Sequence, residues 1–214
     1  MIDIYYCEIS EELTGSQWED FFSILPPDQK ERNNRFKKWE DRHSHLFGRL
    51  LLQKGLVNKG YAENILSSIQ TTGFDKPYIN EAIDFSISHS KNYVICAISE
   101  KASLGIDIEK KDSAIDITQI AEFLSPFEKH YIDHSINQIA AFYRIWTRKE
   151  SLIKANGKGF SLQLNQINCL PSKVSIEMKT WYIRDVNFSE EYAVSISTSV
   201  QNPEINYLPF DFYH

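Results

Sequence analysis

Cysteine is scarce and poorly placed for chemistry. Cys7, Cys96 and Cys169 are an odd number in 214 residues, far apart and in no metal-ligand spacing. That pattern excludes a disulfide framework and fits structural thiols, buried in a protein of a reducing compartment. Long apolar runs are missing too. Nothing approaches the ~20 residues of a membrane span, and the N-terminus has no basic segment leading into an apolar core. The chain therefore reads as cytoplasmic. A basic excess is also absent: 29 acidic against 23 basic residues leave a net charge of -6, which argues against broad nucleic-acid binding. No Gly-x-Ser-x-Gly turn occurs, and adjacent strand residues point to opposite faces, so Ser88 and His89 do not make a serine-hydrolase pair. His43 and His45, two apart on a helix, do not face each other as metal ligands would.

What is present is the composition of a folded protein, with 42% hydrophobic and 24% charged residues. The length suffices for a real core, as one domain or two closely packed halves. Within the acidic total, Lys30, Arg32, Arg35, Lys37, Lys38 and Arg42 form a local basic cluster, and Arg49 and Lys54 follow it. It suits either one compact anionic ligand or a solvated helix face.

An opening strand is expected at residues 2–9. After the turn at 25–28, apolar residues recur at helical spacing from about Lys30 to Leu51, with Gly55 and Gly60 closing the helix and a short helix possible over 62–69. Residues 71–77 read as a loop. Alternation then predicts strands at 83–88, 93–99 and around Asp107. Ser125, Pro126 and Glu128 form a capping-box helix start, and a further helix runs to about Ala155, with Asn156-Gly157 as its left-handed exit. Strand patterns follow at 174–183 and 192–198. Helices first and strands after, twice over, predict an α+β fold of two similar halves, residues 1–110 and 111–214, in pseudo-twofold arrangement with a site at their junction.

Two segments carry the chemistry. In residues 105–109, Gly-Ile-Asp-Ile-Glu, strand alternation puts Gly105, Asp107 and Glu109 on one face. In the helix through 142–154, Trp146, Glu150 and Lys154 share a face at i, i+4 spacing. Should these faces meet, three carboxylates and a lysine converge, which suits a divalent metal with a phosphorylated ligand. Blander readings exist: strand-end charges for Asp107 and Glu109, and an ordinary helix ion pair for Glu150 and Lys154. His89, among serines at a strand end, fits a phosphate contact or a structural histidine equally well. Lys76-Pro77 and the turn Gly157-Lys-Gly159 are individually weak signals.

Jointly, these segments resemble the Sfp-type 4′-phosphopantetheinyl transferases. The likeness rests on the strand 105–109, the Trp146-Thr-Arg-Lys-Glu150 helix running to Lys154, residues 85–90 (Phe-Ser-Ile-Ser-His-Ser), Lys76-Pro77, residues 157–160 (Gly-Lys-Gly-Phe), and the basic stretch 32–36. It covers roughly residues 25–165, in the family's order. The resemblance implies transfer of the phosphopantetheine arm of coenzyme A to a serine of an acyl or peptidyl carrier protein, with release of 3′,5′-ADP. On matching positions Asp107, Glu109 and Glu150 would bind Mg²⁺. Lys154 would neutralise the pyrophosphate and Glu150 would take the serine proton. Ser88 and His89 would hold coenzyme A phosphates, Lys76 would lie near the nucleotide, and Lys30, Arg32 and Arg35 would face the 3′-phosphate. Two site-forming halves in one chain make a monomer sufficient. The pattern departs from the family at Asp75, often glycine, at Ser86, often asparagine, and around residues 43–45.

Two other classes fit parts of the chain. Asp107 with Glu109-Lys-Lys111 matches the Asp…Glu-x-Lys core of a metal-dependent nuclease, although both acids share one strand. A degenerate, non-enzymatic binding module would be expected to have lost a metal ligand, yet all three carboxylates and Lys154 are present.

Overall fold

A computed structural model describes residues 1–80 and 82–214, and for Phe160 the backbone alone, so the Phe160 side chain of the 157–160 turn lies outside the described part. Strand β1 (Ile2–Glu8) alternates strictly: Ile2 and Ile4 enter one core, Tyr5 and Cys7 another. Helix α1 (Gly15–Ser23) was not foreseen. The helix expected from Lys30 is two, α2 (Pro27–Asn34) and α3 (Trp39–Asn58). The break comes where Asn33, fully buried, turns its amide to the Arg42 carbonyl at 2.7 Å, and Lys38 is extended at ψ 141°. The short helix expected over 62–69 is a 3-10 turn at Ile65–Ser68. The expected loop at 71–77 lies between the paired strands β2 (Gln70–Thr71) and β3 (Pro77–Tyr78).

Strands β4 (Asp84–Ser90), β5 (Tyr93–Ser99) and β6 (Leu104–Lys110) follow as their alternation requires. Helix α4 (Pro126–Asp133) opens on both bonds of the Ser125–Glu128 capping box. Helix α5 (Gln138–Asn156) ends at Gly157, which is left-handed at φ 79°. The apolar stretch at 174–183 is a hairpin, β7 (Lys173–Ile176) and β8 (Lys179–Asp185), turning through Glu177 and Met178 at positive φ. β9 (Tyr192–Thr198) and the unforeseen β10 (Ile205–Pro209) complete the chain, β10 lying parallel to β1.

Two four-stranded sheets result, β10-β1-β5-β4 and β6-β9-β8-β7. The three strands β1-β5-β4, with α3 between β1 and β4 in the chain, repeat as β6-β9-β8, with α5 between β6 and β8. These are the two similar α+β halves. One face of the first sheet packs on Leu46, Phe47 and Leu50 of α3. Its other face, with Ile4, Ile95 and Ala97, packs on Leu104, Ile106 and Ile108 of the second sheet. The layers therefore run α3, sheet, sheet, α5. The division expected after residue 110 falls at the end of β6, but β6 pairs with β9 in the second sheet, so β6, with Asp107 and Glu109, goes with the second half.

The seam between the sheets is made by side chains. Asp84, Ser86, Ser88 and Ser90 of β4 accept the backbone N–H groups of Leu104, Ile106, Ile108 and Lys110 of β6, at 3.0, 3.1, 3.4 and 3.0 Å. The alternation of β4 thus turns one face to the apolar core through Phe85 and Ile87 and the other to the partner half. The seam fixes which β6 residues stand opposite which β4 residues, and so sets the site.

Candidate active site

Gly105 is the reason α5 can lie on β6. A Cβ at this position would fall inside the van der Waals shells of the Ser151 carbonyl oxygen and the Ala155 nitrogen. The helix is further tied to β9 by hydroxyl pairs, Thr147 with Ser195 at 2.9 Å and Ser151 with Ser197 at 2.8 Å. With the backbones this close, Asp107, Glu109, Glu150, Lys154 and Trp146 line one cavity of about 340 Å³, with Ser88 and His89 on its β4 side. The expected convergence of strand and helix faces is observed.

Lys154 pairs with Asp107 rather than with its helix neighbour Glu150. Its ammonium donates to Asp107 Oδ1 at 2.7 Å and to Ser88 Oγ at 2.8 Å. The Ser88 hydroxyl donates a hydrogen bond to the same Asp107 Oδ1 at 2.8 Å. That hydroxyl is therefore committed, with its one O–H directed at Asp107 and its lone pairs facing Lys154 and the Ile108 N–H. A phosphate role for Ser88, as the resemblance implies, would require it to let go of Asp107. Asp107 Oδ2 is buried without a hydrogen-bond partner, an acceptor that only a cation or a donor from outside could satisfy.

Burial pushes the Glu150 carboxyl up to about 7; the Asp107 and Glu109 charges add to the rise and Lys154 opposes it. Burial raises Glu109 as well, against the hydrogen bond donated by Ser90 at 2.8 Å. Among the described residues no three His, Cys, Asp or Glu side chains are gathered into a finished metal cage. The set is three hard oxygen donors around a shared opening, one with an unpartnered oxygen. That fits a magnesium ion, which keeps waters and takes substrate oxygens instead of demanding an all-protein shell.

A second cavity, about 490 Å³, adjoins the first through Ile87, His89 and Lys154. Arg32, His45, Arg49 and Lys76 line it. Arg49, 7% exposed, donates to Gln29 at 3.0 Å. Burial, with Arg32 nearby, pushes it down to about 10, so it stays charged at neutral pH. Burial and the guanidiniums of Arg49 and Arg32 push His45 down to about 3. Its Nδ1 lies 3.1 Å from the Asn33 amide nitrogen, which can only donate, so Nε2 carries the proton. That Nε2 is buried and unpartnered. His89 stands between the cavities, where loss of solvent and then the Lys154 charge hold it below the usual histidine range.

Two expected phosphate contacts are not brought here. Lys30 donates to the Ser23 carbonyl at 2.9 Å over the Phe22 ring, and Arg35 pairs with Glu31 in solvent. Neither lines the cavities. Arg49 and His45 line the basic cavity with Arg32 and Lys76. Arg49 sits inside the apolar run of α3, and its burial beside the cavity has no signature in the spacing. Lys76 does line the cavity, paired with Asp84 at 2.8 Å and packed under Gly157. Lys111 donates to the Glu190 carbonyl at 2.8 Å, so the lysine of the nuclease pattern is turned to another task.

Lys149, next to Glu150 in sequence, is wholly buried. It is paired with Glu128 at 2.9 Å and donates to the Leu164 and Ile167 carbonyls. Glu128 in turn accepts from the Ser125 and Cys169 N–H groups. Every donor of the ammonium is used, the condition under which a buried pair is tolerated. Lys149 pins the 164–169 segment under α5, while Glu150, one residue on, faces the cavity.

An acidic cavity opens into a basic one across the junction of two similar halves, an arrangement suited to a phosphorylated ligand. Residues 103–201 match the family model of the 4′-phosphopantetheinyl transferase superfamily, and residues 12–101 that of the 4′-phosphopantetheinyl transferase N-terminal region. A 4′-phosphopantetheinyl transferase of Bacillus subtilis is 32% identical over 205 residues, covering 90% of each chain. The 4′-phosphopantetheinyl transferase Sfp of Bacillus subtilis strain 168 is 32% identical over 181 residues, 82% of this chain and 80% of that one. The L-aminoadipate-semialdehyde dehydrogenase-phosphopantetheinyl transferase of Xenopus laevis is 24% identical over 214 residues, 85% and 70% of the two chains. The chain belongs to the Sfp-type 4′-phosphopantetheinyl transferases. Among the described residues no helix is long and apolar enough to cross a membrane.

Proposed function

We propose that the protein transfers the phosphopantetheine arm of coenzyme A to a serine of an acyl or peptidyl carrier protein, with Mg²⁺, releasing 3′,5′-ADP. The observation that carries this reading is the adjacency of the two cavities, which share His89 and Lys154. Coenzyme A bears a pyrophosphate and a 3′-phosphate on one nucleotide. The acidic cavity suits the first and the basic cavity the second. Arg32, Arg49 and the Nε2–H of His45 would meet the 3′-phosphate, with Lys76 near the nucleotide.

Asp107, Glu109 and Glu150 would hold the magnesium ion, which would supply positive charge against the pyrophosphate oxygens. Lys154, 29% exposed at its side chain, would extend from Asp107 to the same oxygens. Glu150 would accept the proton of the carrier serine as its oxygen bonds to the phosphorus next to the pantetheine. The bond from that phosphorus to the bridging oxygen breaks, and 3′,5′-ADP carries the electron pair away. In-line displacement needs little beyond such positioning and charge. One chain supplies both walls, so a monomer is sufficient, and a cytoplasmic location suits the carrier and the free thiols.

The test is mass spectrometry of an apo carrier protein incubated with the enzyme, coenzyme A and Mg²⁺. A gain of one phosphopantetheine, lost with EDTA, is expected. No gain on several unrelated carriers, together with no coenzyme A binding, would contradict the proposal.

A further inference from the structure

The β4–β6 seam contains three serines in equivalent places, and they do not do equivalent work. Ser86, Ser88 and Ser90 each accept an N–H from β6. Ser86 stands beside Gly105, the β6 residue before its donor, which offers no side chain to hold. Ser88 and Ser90 stand beside Asp107 and Glu109, and each donates its proton to that carboxylate at 2.8 Å. The same motif recurs two residues on, with the carboxylate added: N–H of β6 to serine oxygen, serine proton to the preceding acid of β6. The second bond gives each hydroxyl proton an acceptor and at the same time holds the carboxylate oxygen that receives it.

We propose that Ser90 is a positioning residue that aims Glu109 into the acidic cavity, so that the first half of the molecule sets the carboxylate geometry of the second. The inference rests on the proposed metal-binding role of Asp107, Glu109 and Glu150. Ser90 holds Oε2 of Glu109, which limits the rotation of a carboxylate at the half-buried end of β6 and leaves Oε1 for a cation. Ser88 does the same for Asp107 Oδ1, leaving Oδ2, the buried oxygen without a partner. Groups that orient ligating carboxylates commonly control metal affinity through geometry. The cation site would then sense the register of the two halves through two hydroxyl groups.

The experiment compares Ser90→Thr with Ser90→Val in the full-length chain. The two replacements have nearly the same shape, and only threonine keeps the hydroxyl. Bound Mn²⁺ is counted by electron paramagnetic resonance at saturating coenzyme A without carrier, against coenzyme A alone. Thermal melting and coenzyme A affinity are measured in parallel, and Ser86→Ala serves as the seam control. The expected result is wild-type Mn²⁺ affinity for Ser90→Thr and Ser86→Ala, and a loss of about 10-fold for Ser90→Val. Coenzyme A affinity should stay unchanged in both Ser90 variants. Equal Mn²⁺ affinity for the threonine and valine variants would overturn the role of Ser90 alone. A wild-type protein that binds coenzyme A but no Mn²⁺ would overturn the metal reading of the site, and this inference with it.

Discussion

Asp75 is held at φ 62° on the wall of the basic cavity. Its turn is closed by the Thr72 carbonyl and hydroxyl, which accept from the Asp75 and Lys76 N–H groups at 3.0 and 3.1 Å. The left-handed region favours glycine and tolerates aspartate, so the backbone at this position accepts glycine without strain. Asp75→Gly should keep the melting temperature near wild type and remove a negative charge facing an anionic ligand. The KM for coenzyme A should fall about two- to fivefold, the size of a screened unit charge; an unchanged or raised KM would show that Asp75 does not feel the ligand.

His43 makes a prediction of the opposite kind, since its environment is complete. Nε2 accepts from the Leu13 N–H at 2.8 Å, and Nδ1, carrying the proton, donates to the Trp39 carbonyl at 2.8 Å. Burial lowers its pKa, with Arg42 assisting. A histidine depressed in the folded state binds protons first in the unfolded one. Its contribution to stability is whole above about 6.5 and is lost as pH falls toward the folded value. NMR of the imidazole should show the Nδ1–H tautomer persisting below pH 6.5; a titration midpoint at or above 6.5 would contradict the buried neutral ring. The adjacent Lys149 and Glu150 show what sequence leaves open at this scale. One faces a sealed carboxylate and the other an open cavity, and only the packing of the 164–169 segment distinguishes them.

At the scale of elements, α5 on β6 decides everything downstream. Gly105→Ala would have to push the helix off the strand, because the atoms in its way are backbone. It should cost about 1–3 kcal/mol, read as a lower melting temperature, and should reduce transfer more than coenzyme A binding. A variant that melts and reacts as wild type would refute the close-approach argument. The alternation of β4 and β6 and the Ser125 capping box were legible because their causes are local; the close approach at Gly105 was not, because the atoms that require it belong to a helix more than forty residues later. Helix α1 was not: it has no capping side-chain bond and no buried residue, and it is kept in place by Trp18, Phe21 and Phe22 packing on the first core. Nor was β10, whose ladder partner lies some two hundred residues earlier in β1. The division between α2 and α3 escaped because α2 is polar along its length and offers no apolar face of its own to mark its end, and a buried Asn33 makes the turn.

At the scale of the molecule, neither half contains the site. The second half supplies the carboxylates and Lys154. The first supplies the serines that hold them, His89 between the cavities, and the basic wall of Arg32, His45 and Arg49. The acidic cluster was readable from two motifs, whereas the basic wall was only half readable. Charge clustering in sequence pointed to Lys30, Arg32 and Arg35; of these only Arg32 lines the cavity, and the fold adds Arg49 and His45 from the buried side of α3. An overall acidic chain can thus present one basic cavity to an anionic substrate.

The most direct measurement is single-turnover transfer by Glu150→Gln, followed by the mass of the carrier, with coenzyme A affinity measured on the same preparation. The account predicts that coenzyme A still binds within a few-fold while transfer falls by roughly 10²–10⁴, because glutamine keeps the shape and cannot take the serine proton. Full transfer by that variant would contradict the role given to Glu150 and the site built around it.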